Sequence, residues 1–141
     1  MTIPVTFIDA HRTAMENPGV TLFTVSIVTA DGQHVTRAYT SHEEVYPTGG
    51  LKPVHADSVE ADTTFTPNSA AIAVNFSEHE LIRSLGCTAA INVSLREAGE
   101  VIGAVNFLHR EDVYTPDSVP AAEAIAESLR EAILAFRVEH S

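Results

Sequence analysis

The stretch 88–108, TAAINVSLREAGEVIGAVNFL, restricts the possible folds more than any other part of the chain. It reads as two β-strands joined by Glu97-Ala98-Gly99, a three-residue hairpin loop whose final glycine supplies the positive φ such a loop needs. Placing Arg96 opposite Glu100 sorts the side chains by their alternation. Ala89, Ile91, Val93, Leu95, Val101, Gly103, Val105 and Phe107 take one face, all apolar. Thr88, Ala90, Asn92, Ser94, Ile102, Ala104, Asn106 and Leu108 take the other. A slip of one residue would mix the two sets, so the pattern specifies its own register. The chain is expected to build a sheet with one core face and one mixed face.

A second hairpin has the same asymmetry. Residues 20–30 and 33–41 flank Asp31-Gly32, which favours a two-residue type I′ turn. That turn sets Val28 opposite Val35, Arg37 opposite Ser26 and Tyr39 opposite Thr24. Arg37 and Tyr39 then share the mixed face, while Phe23, Val25, Ile27 and Ala38 take the core face. Two hairpins with matching faces predict one antiparallel sheet in an α+β fold, with helices on one side and a pocket on the other.

Helices are expected on both flanks. Residues 6–17 carry Phe7, Ala10 and Ala14 at helical spacing before Asn17-Pro18-Gly19 stops the segment. Ser77 and Glu80 form a capping-box pattern ahead of Leu81, Ile82 and Leu85. Thr115-Pro116-Asp117 opens a last helix whose stripe is Ala122, Ile125, Leu129, Ile133 and Phe136. Ala121, Leu134 and Ala135 widen that stripe, which predicts a homodimer through the terminal helices. Between the hairpins, 42–76 shows no sustained period. Tyr46-Pro47-Thr48-Gly49-Gly50 and Thr66-Pro67-Asn68-Ser69 are turn chemistry, and 70–75 reads as a short strand. A connection this long is expected to act as a lid over a site.

Charge and cysteine content narrow the partners. Eight basic residues stand against nineteen acids, for a net charge of −11. Such a surface excludes nucleic acid and anionic membrane as partners, since phosphate binding needs clustered Lys and Arg. One cysteine rules out an internal disulfide and fits a reducing compartment. With no secretory signal and no apolar run long enough to cross a bilayer, the cytoplasm is expected. At 141 residues the chain is expected to fold as one domain, 1–141.

The element order, together with Gly86-Cys87-Thr88-Ala89-Ala90-Ile91-Asn92-Val93-Ser94-Leu95 and Gly99-Glu100-Val101-Ile102-Gly103-Ala104-Val105-Asn106-Phe107, resembles the GAF family of small-ligand-binding domains. Gly103 falls mid-strand as a glycine does in that family, and Tyr114-Thr115-Pro116-Asp117 leading into an Ala-, Leu- and Glu-rich helix is similar too. The resemblance runs from about Val20 to Arg137. It implies terminal helices on one sheet face and a ligand cavity on the other. A sensor or regulatory module is the function it implies, with the signal passing through a partner or a dimer.

Candidate site residues follow from the mixed face. Arg37, Tyr39, Tyr46, Asn92 and Asn106 offer a guanidinium, two phenols and two carboxamides for a small polar or carboxylated ligand. Buried Arg37 needs an acceptor, either a ligand anion or a lid carboxylate such as Glu43, Glu44 or Asp57. The alternative is a small enzyme using His42, His79 or the sole lysine, Lys52, in acid–base roles. Some GAF-fold proteins reduce free methionine sulfoxide with cysteines. Cys87, alone and on the parity of Ala89 and Ile91, is expected to be a structural core thiol instead. The seven histidines show no metal-ligand spacing, and no motif requires a cofactor.

Overall fold

The computed structural model describes residues 5–53, 63–76 and 78–139. In order they form α1 (Val5–Glu16), β1 (Leu22–Val28), β2 (His34–Thr40), β3 (Gly49–Pro53), β4 (Thr63–Thr66), α2 (Ser69–Asn75), α3 (His79–Ser84), β5 (Ala89–Glu97), β6 (Glu100–His109), α4 (Val119–Ser128) and α5 (Arg130–Glu139). The strands make one six-stranded antiparallel sheet, ordered β3-β2-β1-β6-β5-β4. The two hairpins meet through β1 and β6, with Phe23 opposite Phe107 and Val25 opposite Val105.

The faces expected of the central hairpin are present, although the turn differs. Glu97, not Arg96, stands opposite Glu100, leaving Ala98 and Gly99 as a two-residue turn with φ of 53° and 84°. A left-handed alanine is strained, and such a turn matches the twist of the strands. A bulge after Leu95 then restores the parity, with partners two residues on from the expected ones: Val93 meets Val105 and Ile91 meets Phe107. The extra residue is Ile102, expected on the mixed face and found fully buried in the main core.

The first hairpin carries a correction of larger consequence. Val28 meets Val35 and Ser26 meets Arg37 as expected. Its turn, however, is a four-residue loop in which Asp31 keeps a negative φ. The Asp31 carboxylate accepts from Thr29 Oγ1 at 2.6 Å and from the Gln33 amide at 2.9 Å, which favours this side-chain-braced turn. A bulge between Val25 and Ser26 next shifts the register, so Tyr39 pairs with Val25 and not with Thr24. One inserted residue reverses every later side chain of β2. Tyr39 therefore lies on the core face beneath α1, 5.9 Å from the ring of Phe23 and 2.8 Å from His11 Nδ1. Burial lowers the pKa of His11, and the charge of His42 adds to the effect.

The main core lies between the sheet and α1, α4 and α5. Phe7, Ala10 and Ala14 of α1 meet Phe23, Val25, Ile91, Val93, Val105 and Phe107 of the sheet. The stripe Ala122, Ile125, Leu129, Ile133 and Phe136 is buried there as well. The single terminal helix of the sequence reading is broken at Leu129, where the amide turns back to the Ala126 carbonyl at 3.0 Å. Ser128 Oγ bonds the Ile125 carbonyl, a local competition that bends helices.

Two expectations in the 42–76 connection change. Residues 70–75, read as a strand, are helix α2: Asn68 Oδ1 caps the Ala71 amide at 3.0 Å and starts the helix. The segment also contributes both edge strands of the sheet, so it is more ordered than a loop. Residues 54–62, with His55 and Asp57, lie outside the described residues, as does Ser77 of the expected capping box. Glu78 occupies the cap position of α3, and its side chain makes no capping hydrogen bond.

Candidate functional site

On the mixed face, alternation places three rows of side chains across the sheet. Ala90, Leu108 and Leu22 form one apolar row, on which Ile72 of α2, Ile82 of α3 and Cys87 pack as a second core. The next row is polar: Asn92, Asn106, Thr24 and Thr40 stand opposite one another on four strands. Asn92 Nδ2 donates to Asn106 Oδ1 at 2.8 Å, and Asn106 Nδ2 donates to Thr24 Oγ1 at 2.9 Å. The two carboxamides are thus brought together, as a ladder that satisfies much of its own hydrogen bonding. The third row runs Ser94, Ala104, Ser26 and Arg37.

Three small residues beside Arg37 leave its side chain free to turn toward the 42–48 segment. There the guanidinium carbon sits 3.7 Å from the centroid of the Tyr46 ring, and Nη1 donates to the Pro47 carbonyl at 2.8 Å. Stacking on an aromatic face is a favourable seat for a guanidinium. Among the described residues no lid carboxylate is its partner: Glu43 accepts from the Thr48 amide and hydroxyl at 3.2 and 2.9 Å, and Asp57 lies outside the described residues. Arg37 Nε is buried and has no hydrogen-bond partner among the described residues. Burial raises the Tyr46 pKa; the Arg37 charge opposes this and the Glu78 charge reinforces it. Tyr46 thereby links Arg37 to the start of α3, where His79 Nδ1 is a second buried atom without a partner.

The remaining candidates are dispersed. His42 Nδ1 lies 2.7 Å from Ser41 Oγ at the end of β2. Lys52 is placed by its backbone opposite Val35, and its side chain lies outside the described residues. No described contact joins His42, His79 and Lys52 into one centre. Among the described residues there is no cluster of three metal-ligating side chains and no helix long and apolar enough to cross a membrane.

Cys87 is fully buried as expected, but in the second core with Leu22 and Leu108 and not beside Ile91. Desolvation pushes its thiol up to about 11, only partly offset by the Leu22 amide, so it is protonated at neutral pH. Cys87→Ser is expected to leave ligand affinity within a few-fold while costing about 1–2 kcal/mol of stability. Urea unfolding beside a binding isotherm checks both. Loss of function in a folded variant would contradict the structural role.

The sheet order, the two-sided packing and the register together agree with one family, and the GAF domain family model matches residues 6–133. The chain belongs to the GAF family. Its fold is similar to the GAF domain of a two-component sensor histidine kinase from Bacillus halodurans, with a TM-score of 0.76 at 9% identity over 100% of this chain and 99% of the other. A domain assigned to a two-component sensor histidine kinase protein of Sinorhizobium meliloti 1021 gives 0.71 at 18%, over 99% and 96%. The type II free methionine-R-sulfoxide reductase of Thermoplasma acidophilum gives 0.70 at 11%, over 94% and 91%. Among curated proteins none matches this GAF domain by sequence. GAF domains are commonly small-molecule-sensing or regulatory modules of signalling proteins.

Proposed function

We propose that this GAF domain, residues 1–141 as one unit, is a cytoplasmic sensor or regulatory module that binds a small anionic molecule. The ligand lies between the mixed sheet face and the 42–76 connection. One observation carries the reading: Arg37 is stacked and half-buried, and its Nε lacks an acceptor among the described residues. A buried unpaired donor is costly, and a carboxylate or similar group on a ligand would satisfy it. Tyr46 forms an aromatic wall, and the Asn92–Asn106 ladder forms a polar floor that orients the ligand. Tyr39, being under α1, has no part in this site. The enzymatic alternative is less favoured because no described contact joins His42 to His79 and the only thiol is buried and protonated. A thermal-shift panel of small carboxylates tests the binding: a rise in Tm that disappears in Arg37→Ala is expected, and no rise with any member counts against it.

The module is also proposed to dimerise through its terminal helices. The stripe that motivated this reading is spent on the domain's own core, and Leu134 packs against that core too. Val5 and Met15 on α1 and Val138 on α5 remain 67%, 54% and 76% exposed, which supports a partner for this side of the molecule. Light scattering is expected to give twice the chain mass, and a monomer at all concentrations would remove the dimer from the account.

A further inference from the structure

Helix α1 holds the sheet with few apolar side chains: its buried residues are Phe7, Ala10 and Ala14. Two of the three are alanines, so burial contributes little here and the polar contacts of the helix matter more to its docking. Histidine supplies two of them. His11 lies flat on Phe23 of β1, rings 5.4 Å apart and 3° from parallel, with its Nδ1 2.8 Å from the Tyr39 hydroxyl. His109, at the end of β6, packs on the link that follows α1. A Cβ on Gly19 would stand 3.5 Å from His109 Cδ2, and the Gly19 amide donates to the Ala14 carbonyl at 2.8 Å.

Both imidazoles are held neutral. His109 Nδ1 accepts from the Arg110 amide at 2.8 Å, which requires the lone pair there and places the ring proton on Nε2. A second proton would break that bond. Burial lowers the pKa of His109, the Arg110 charge adds to this, and Asp112, 3.5 Å from Arg110, opposes it. For His11 burial again comes first, with the His42 charge in support. The phenols beside the two rings, Tyr39 and Tyr114, are raised by burial and stay neutral. Around α1, Asp9 and Arg12 lie 3.8 Å apart, and neighbouring α4 turns Glu123 to Thr63 and Glu127 to Arg130.

Free histidine titrates near 6.5, and both rings stand below that value in the fold. Their contribution to docking is therefore complete above about pH 6.5 and is lost as the pH falls through the folded-state values. We propose that α1 is an acid-released helix: neutral His11 and His109 hold it on the sheet, and protonation of the pair loosens it while the sheet stays folded. The sheet keeps its own ladder and the side of the main core built by α4 and α5, so the loosening is local.

Amide hydrogen exchange of the intact protein at about pH 7.5 and about pH 5.5, corrected for the intrinsic rates, tests the proposal in a window where carboxylates stay ionised. Protection of the α1 amides is expected to fall several-fold at the lower pH, while that of β5 and β6 does not change. Equal protection of α1 at both pH values overturns the proposal, and so does a fall shared equally by the sheet. In a His11→Gln, His109→Gln double variant, where an amide oxygen can still accept but the rings no longer titrate, the difference is expected to vanish. A difference that survives undiminished there contradicts the assignment. An NMR titration of the wild-type imidazoles needs no variant: both rings are expected to titrate below the free value, and either one titrating above it removes its part in the release. None of these readouts depends on a ligand at Arg37.

Discussion

Replacing Gly103 by alanine is expected to destabilise the fold by about 3 kcal/mol or more. A Cβ built on Gly103 would lie 2.7 Å from the Ser26 carbonyl and 3.3 Å from Ile133 Cγ2. The first neighbour is backbone of the adjoining strand and cannot swing aside. The second is a fully buried side chain of α5. Either the β1–β6 ladder opens here or α5 lifts from the sheet, and both expose part of the main core. Equilibrium unfolding in urea measures the loss as a fall in midpoint at unchanged slope. A loss under about 1 kcal/mol would mean that α5 is not seated against β6 as described.

Arg37→Ala is expected to cost about 2–4 kcal/mol of ligand binding, much of it from an anion left buried without its partner. Its effect on the unliganded domain is smaller. The cation–π contact with Tyr46 and the bond to Pro47 hold the 42–48 segment, and losing the contact costs roughly 0.5–1 kcal/mol. Calorimetry on ligand-free protein, with the ligand recovered from wild type, separates the two quantities. A large fall in stability with unchanged affinity would make Arg37 a clamp on the connection and not a ligand contact.

Legibility in the sequence followed the period of the strands. The core face of the central hairpin could be read because its alternating positions agree, and the turn and the bulge together move the register by two residues, which does not change parity. The Arg37 position was legible for the same reason, since it lies on the turn side of the β1–β2 bulge. Tyr39 lies beyond that bulge, and nothing in the alternation of Thr36, Arg37, Ala38 and Tyr39 announces an inserted residue. Cys87 was misplaced because parity was extended past the start of β5, where the chain no longer alternates. Helix α2 was missed because Ala70, Ala71, Ile72, Ala73 and Val74 lack a polar face, while its one clear signal, the cap at Asn68, sits directly after Pro67. The Tyr46 ring over Arg37 joins residues of two elements, a juxtaposition no local pattern encodes. Gly103 was visible as an oddity in a strand, but its reason lies in the Ser26 carbonyl of the neighbouring strand and in Ile133 of α5.

Arg37, half-buried above the mixed face, is proposed to receive an anionic small molecule. Native mass spectrometry of the purified protein tests it most directly, comparing wild type with Arg37→Ala after the same purification. A stoichiometric small molecule is expected on the wild type and is expected to be absent from, or strongly depleted in, the variant. A wild type that carries nothing and melts at the same temperature as Arg37→Ala would contradict it.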